Sequence, residues 1–162
     1  MGVARFMHVS ARQFQADWRD VFGASDVPEL PPLPKRATAG SAGYDFFSPL
    51  AFTLSPGECL RIPTGVRARI DDGWVLMLFP RSGLGFKYRL MLNNTVGVVD
   101  ADYFGARNEG HIFVKLTNAG ERPLSVGIGE AFAQGVFLPF GLTDDDDAQG
   151  SRVGGFGSTD GR

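Results

Sequence analysis

Cysteine is nearly absent from this chain: Cys59 stands alone among 162 residues, so no internal disulfide can staple the fold. Its place in the apolar stretch ECLRIP predicts a buried strand thiol, with no histidine nearby to activate it. Histidine is almost as scarce. With only His8 and His111, there is no HExxH helix, no Cys/His zinc spacing and little material for a histidine triad. Chemistry therefore falls to carboxylates, hydroxyls or metal-bound water. Long apolar runs are missing too. The longest, Trp74 to Pro80, is too short to cross a bilayer, which excludes membrane insertion. The opening MGVARFMHVSARQFQ lacks the apolar core and cleavage site of a secretory signal, and predicts a cytoplasmic protein. No basic stripe exists either. The 16 Lys and Arg residues are scattered, Lys35-Arg36 is their only adjacent pair, and net charge is -2, which argues against nucleic acid as a partner.

What is present fits one domain with an ordinary globular composition, 43% hydrophobic and 21% charged, long enough to bury a core. Val3 to Val9 reads as an edge strand. Ser10 and Gln13 have the spacing of a capping box, and Phe14, Trp18, Val21 and Phe22 recur at helical intervals up to Gly23. This helix reads as packing rather than machinery. The proline-rich VPELPPLPK then predicts an extended connection. Beyond it the pattern becomes short strands and turns, with no further helix expected. Ser55-Pro56-Gly57-Glu58 and Asp72-Gly73 mark reversals. Val66, Ala68 and Ile70 alternate with Arg67 and Arg69, as do Ile112, Val114 and Leu116 with polar neighbours. WVLMLF at 74–79 is apolar on both faces, and Ala131 to Leu138 supplies a last core strand. The expected fold is all-β, a jelly-roll-like sandwich with one short N-terminal helix, over residues 1–141. Residues 142–162 differ in kind: the run Asp144 to Asp147 precedes a glycine-rich stretch whose only large apolar residue is Phe156. Such a segment cannot bury itself and is expected to be a flexible arm ordered on binding. The aspartate run reads as a solvated linker.

Five clusters interrupt the apolar pattern: GSAGYDF at 40–46, PRSGLGFK at 80–87, NNTVGVVDADYFG at 93–105, EAFAQ at 130–134 and RVGGFGST at 152–159. Taken singly, glycines making turns explain each. PRSGLG nevertheless offers a guanidinium, a hydroxyl and backbone N–H groups that small residues leave open to phosphate oxygens. GGFGST adds an aromatic ring able to stack on a flat ligand. Together they suggest a nucleoside phosphate, although the chain has neither a GxxxxGK[ST] loop nor a GxGxxG between strand and helix.

In order and wording these clusters resemble the five motifs of the trimeric dUTP pyrophosphatase (dUTPase) family, from about Leu33 to Thr159. The resemblance implies a dUTPase-like β fold, a homotrimer with active sites shared between subunits, and Mg2+-assisted hydrolysis of dUTP to dUMP and pyrophosphate, which limits uracil in DNA and supplies dUMP for thymidylate synthesis. It implies that Asp45 binds Mg2+ through water, and that Arg81, Ser82 and Gly83 contact the phosphates, Ser82 near the leaving oxygen. A hairpin with Asn94, Gly97, Val98 and Val99 would read uracil, the two valines forming the floor. Asp100 would be the general base and touch the 3'-hydroxyl, while Tyr103 would pack under the deoxyribose and refuse a ribose. Gln134 would help bind the phosphates. Phe156 would stack on uracil as Arg152, Gly157 and Ser158 close over the polyphosphate. Three departures are visible: Ala131 stands where the fourth motif usually has arginine, only Val153 separates Arg152 from the paired glycines, and ARNEGH at 106–111 lengthens the segment after Gly105. Two other readings compete. A dCTP deaminase would need a glutamate such as Glu109 or Glu130; a non-catalytic nucleotide-binding regulator would use the extra helix.

Overall fold

A computed structural model describes residues 2–23 and 26–150. Strand β1 (Ala4–His8) leads into helix α1 (Ala11–Phe22), and the rest is strands β2 (Lys35–Arg36), β3 (Tyr44–Phe47), β4 (Phe52–Leu54), β5 (Cys59–Pro63), β6 (Val66–Ile70), β7 (Trp74–Pro80), β8 (Leu90–Leu92), β9 (Gly97–Val99), β10 (Phe113–Asn118), β11 (Leu124–Val126) and β12 (Ala131–Pro139). A second helix, α2 (Ser82–Tyr88), and a 3-10 turn, Ala101–Gly105, interrupt them. A five-stranded sheet in the order β2-β3-β12-β7-β9 faces a three-stranded sheet, β5-β10-β8, with the pairs β1-β6 and β11-β4 completing a jelly-roll-like sandwich. Among the described residues no helix is long and apolar enough to cross a membrane.

The alternation read from the sequence places the core. Phe46, Leu76, Leu78, Phe132 and Ala133 come from one sheet, and Ile62, Leu90, Leu92, Val114 and Leu116 from the other; all are buried in one cluster. Burying a leucine, isoleucine or phenylalanine contributes about 1.5–3 kcal/mol, so this interior is the principal stabilising term. In β7 only Leu76 and Leu78 are buried fully, because the strand is central in its sheet but its outer face is half-covered.

Helix α1 forms as expected and ends at Gly23, whose φ of 62° is the left-handed C-cap that glycine adopts without strain. Phe14 and Trp18 seal a small satellite core with Val9. The capping box is only half present. Ser10 Oγ accepts from the Gln13 N–H at 3.1 Å, but the Gln13 side chain donates instead to Asp17 at 2.9 Å. The reciprocal partner is Glu109, whose two carboxylate oxygens take the Ser10 N–H and hydroxyl at 2.7 Å each. Those bonds hold the Glu109 carboxyl below its ordinary pKa, the backbone N–H most and the hydroxyl next, against a smaller opposing effect of burial. A depressed carboxylate stabilises above its unfolded pKa, so this clamp is intact at neutral pH and is lost only as the solution is acidified through the folded value. Ser10→Ala should lower stability by about 1 kcal/mol, read as a reduced Tm at matched protein concentration.

The structure corrects two expectations about elements. Residues 82–88 are helical although no second helix was expected. Arg81 starts the helix, its carbonyl accepting from Leu84 and Gly85, and Leu84 and Tyr88 form a two-residue apolar stripe against the core. Cys59 is exposed rather than buried. Leu60 and Ile62 take the inward positions of β5, so period-two geometry turns Cys59 outward beside Thr117, 3.1 Å away. The contact with Thr117, and secondarily one with Asn93, lowers the thiol's pKa.

Candidate active site

One half of the site is built on neighbouring strand ends. Asp45 lies opposite Gln134 across β3 and β12. Alternation sends Phe46 and Ala133 into the core and leaves Asp45 and Gln134 on the outer face. The Gln134 amide donates to the Pro80 carbonyl at 3.1 Å, and Gly43 makes room for it, since a Cβ there would stand 2.5 Å from Gln134 Oε1. Arg81, just beyond β7, brings its Nε to 3.2 Å from Asp45 Oδ1, with side chains 44% and 17% exposed. So open a pair contributes at most about 1 kcal/mol, and both partners can exchange it for a ligand at little cost. Arg81, Ser82 and Gly83 continue into a cavity of about 600 Å³ whose other lining includes Lys87, Glu130 and Ala131. Among the described residues no group of three or more His, Cys, Asp or Glu side chains could hold a metal by itself.

The second half lies around β9. A cavity of about 380 Å³ is lined by Asn93, Asn94 and Gly97 with Leu78, Leu92, Arg61 and Phe113. Thr95, at φ 62°, closes the tight turn, and Val96 N–H donates to the Asn94 carbonyl at 2.7 Å. Gly97 is required by packing, because a Cβ would approach Leu78 Cβ to 2.9 Å. Val98 and Val99, expected as a floor, face opposite ways in the single chain. Neighbours in a strand face opposite ways, so Val99 shares the face of Gly97 and is 2% exposed while Val98 points out at 47%.

Asp100 follows β9 with extended backbone and leads the 3-10 turn, its carbonyl accepting from Tyr103 N–H at 3.2 Å. Tyr103, expected to pack under the deoxyribose, lies within this turn. It is 1% exposed, its hydroxyl donating to the His111 carbonyl at 2.7 Å and accepting from Asn108 at 2.8 Å. It anchors the turn, and the ring offers almost no surface in the single chain. Arg67 grips the same turn from outside, donating to Phe104 O at 2.7 Å with its guanidinium 3.7 Å from the Phe104 ring centre.

The two halves line different cavities of the chain. Asp45, Gln134 and Phe79 share a row of the sheet, and Leu78 pairs with Gly97, so the row continues through Val96. Three inter-strand steps of a flat sheet span about 14 Å and four residues of strand about 13 Å, which would set the Asp45 and Asp100 backbones on the order of 19 Å apart. Asp45, Arg81, Ser82, Gly83 and Gln134 thus form one group, and Asn94, Gly97 and Asp100 another. Arg152, Phe156, Gly157 and Ser158 lie outside the described residues. Sequence reasoning missed Lys87, although its place five residues after Ser82 on a short helix was a usable signal. It also missed Arg61, whose guanidinium stacks 4.3 Å from the centre of the Phe113 ring at the second cavity; no local signal reveals that contact.

The dUTPase family model matches residues 31–159. The deoxyuridine 5'-triphosphate nucleotidohydrolase of Lactococcus lactis subsp. lactis is 43% identical over 130 residues, covering 78% of this chain and 87% of the relative. That of Hahella chejuensis is 43% identical over 136 residues, 79% and 86% of the two chains. The crystal structure of dUTPase from Streptococcus mutans superposes with a TM-score of 0.64 at 36% identity, over 86% of this chain and 98% of its own.

Proposed function

The chain belongs to the dUTPase family and hydrolyses dUTP to dUMP and pyrophosphate; from that premise we propose that its two half-sites meet between subunits of a homotrimer, the phosphate half of one protomer facing the base half of the next. What supports this reading is that Asp45 and Asp100 belong to separate groups of one chain, on strand β3 and just past strand β9, which β12 and β7 hold apart in the sheet, while each half has chemistry the other lacks.

In this reading Asn94 and the backbone beside Gly97 take the edge of uracil. The cavity there is narrow, because Leu78 and Leu92 close its inner side, and a thymine methyl group is refused. Asp100 accepts the proton of the water that attacks the α-phosphate and touches the 3'-hydroxyl. Tyr103, held from both ends, keeps the 3-10 turn against the sugar position, so that the turn rather than an open ring excludes a ribose 2'-hydroxyl. Arg81, Ser82, Gly83 and Gln134 hold the phosphates, with Ser82 stabilising charge near the leaving oxygen. Arg152, Phe156, Gly157 and Ser158, on the arm proposed for residues 142–162, would close over the bound nucleotide.

Mg2+ fits the first half. A lone, part-exposed carboxylate such as Asp45 cannot hold the ion unaided, yet Mg2+ keeps most of its waters and takes its other ligands from phosphate, which suits contact through water. When bound, the ion supplies charge neutralisation and orientation of the α-phosphorus. The deaminase reading is less well supported: Glu109 is engaged by Ser10 at the start of α1, and Glu130 accepts from Gly127 N–H at 2.7 Å.

The test is pyrophosphate release from dUTP, dCTP, dTTP and UTP with and without Mg2+. Metal-dependent turnover confined to dUTP is expected. Ammonia from dCTP would select the deaminase, and binding without turnover of dUTP would leave the regulator.

A further inference from the structure

The first 30 residues lie outside the family match, yet α1 is joined to the turn that carries Asp100. Glu109 clamps the start of the helix through Ser10. Two turns of helix further on, Asp17 Oδ2 meets His111 Nδ1, and the other ring nitrogen of this fully buried histidine accepts from Gly65 N–H at 2.7 Å. A nitrogen that accepts from a backbone N–H carries no proton, so Nδ1 is the ring's donor, to Asp17.

From His111 the connection runs directly to Tyr103, whose hydroxyl donates to its carbonyl while Asn108 donates to both. The segment between them lies on the backbone of the turn. Gly110, at φ 70°, has no room for a side chain: a Cβ would stand 2.7 Å from Tyr103 O and 2.8 Å from Phe104 Cα. Ala106 N–H donates to Tyr103 O and Glu109 N–H to Ala106 O, at 3.0 and 2.8 Å. The ARNEGH segment is therefore a folded wedge between α1 and the Asp100 turn.

We infer that α1 and residues 106–111 form a brace that positions the turn bearing Asp100, with Glu109, Asn108 and His111 as positioning residues for the attack on the α-phosphate. The inference rests on the reading of Asp100 as the base. A general base misplaced by a fraction of a bond length loses rate without releasing substrate, and the groups assigned to the phosphates and to uracil lie outside the brace. Because the same turn also meets the sugar, its signature is a fall in kcat larger than any rise in KM.

The test compares full-length wild type with Glu109→Ala, Glu109→Gln and, as a control on the exposed face of α1, Arg12→Ala. Glu109→Ala should lower kcat for dUTP about tenfold, raise KM by less than that, and speed amide hydrogen exchange at residues 101–106. Glu109→Gln, which keeps one acceptor for Ser10, should recover part of the rate, and Arg12→Ala should match wild type. Faster exchange confined to residues 10–22, with kcat and the exchange of 101–106 unchanged, would overturn the inference. Should Glu109→Ala fail to fold, Asn108→Ala loosens the brace at Tyr103 and gives the same readouts. A wild type inert toward dUTP would defeat the functional reading, while the exchange comparison would still decide whether α1 restrains the turn.

Discussion

Asp100→Asn is expected to reduce kcat for dUTP by roughly 10²- to 10⁴-fold, the range that a positioned general base contributes, with little change in KM or Tm. The substitution keeps the shape of the side chain. Asparagine adopts the extended φ of -79° and ψ of 159° found at this position, and the carbonyl that receives the Tyr103 N–H belongs to the backbone and survives. What disappears is the capacity to take a proton from water. The uracil contacts assigned to Asn94 and the backbone near Gly97 are independent of it, which is why binding should persist. Single-turnover rates with dUTP and Mg2+, alongside a melting curve, separate the two effects. Full turnover by this variant would remove Asp100 from the chemistry, whatever the substrate proves to be.

Much of the sandwich was legible because period-two alternation records which face is buried. Val66, Ala68 and Ile70 read correctly, as did Ile112, Val114 and Leu116 and the helix from Ser10 to Gly23. The same rule, applied strictly, would also have turned Cys59 outward and set Val98 and Val99 on opposite faces; the apolar character of both stretches obscured it. Helix α2 was hidden by Gly83 and Gly85, which read as turn residues, while the Leu84 and Tyr88 pair that packs it spans little more than one turn. The residues proposed for the site were legible as motifs, whereas its sharing between subunits came only from the family resemblance. That Asp45 and Asp100 lie far apart depends on the order of strands in a sheet, which no local pattern encodes. The Glu109 to Ser10 clamp is likewise a contact across 99 residues, and the Asp17 to His111 contact spans 94. Side-chain pairs of that kind exist only once the fold has brought the elements together.

The proposed sharing yields the most discriminating experiment. Asp45→Asn should be nearly inactive, since it weakens both the water-mediated hold on Mg2+ and the pairing with Arg81, and Asp100→Asn should be inactive for lack of a base. If each site takes Asp45 from one protomer and Asp100 from its neighbour, trimers co-assembled at random from equal amounts of the two variants contain some sites with both wild-type carboxylates. Such a site needs the Asp100→Asn chain on its phosphate side and the Asp45→Asn chain on its base side, so about a quarter of sites regain activity when protomers mix freely. Simple blending of the two preassembled variants, without subunit exchange, should recover nothing and serves as the control. Were the carboxylates of one chain to serve the same nucleotide, every site in the mixture would carry one lesion and co-assembly would give only the sum of the two residual rates. Recovery on co-assembly, set against its absence on blending, therefore distinguishes a site shared between subunits from one closed within a single protomer.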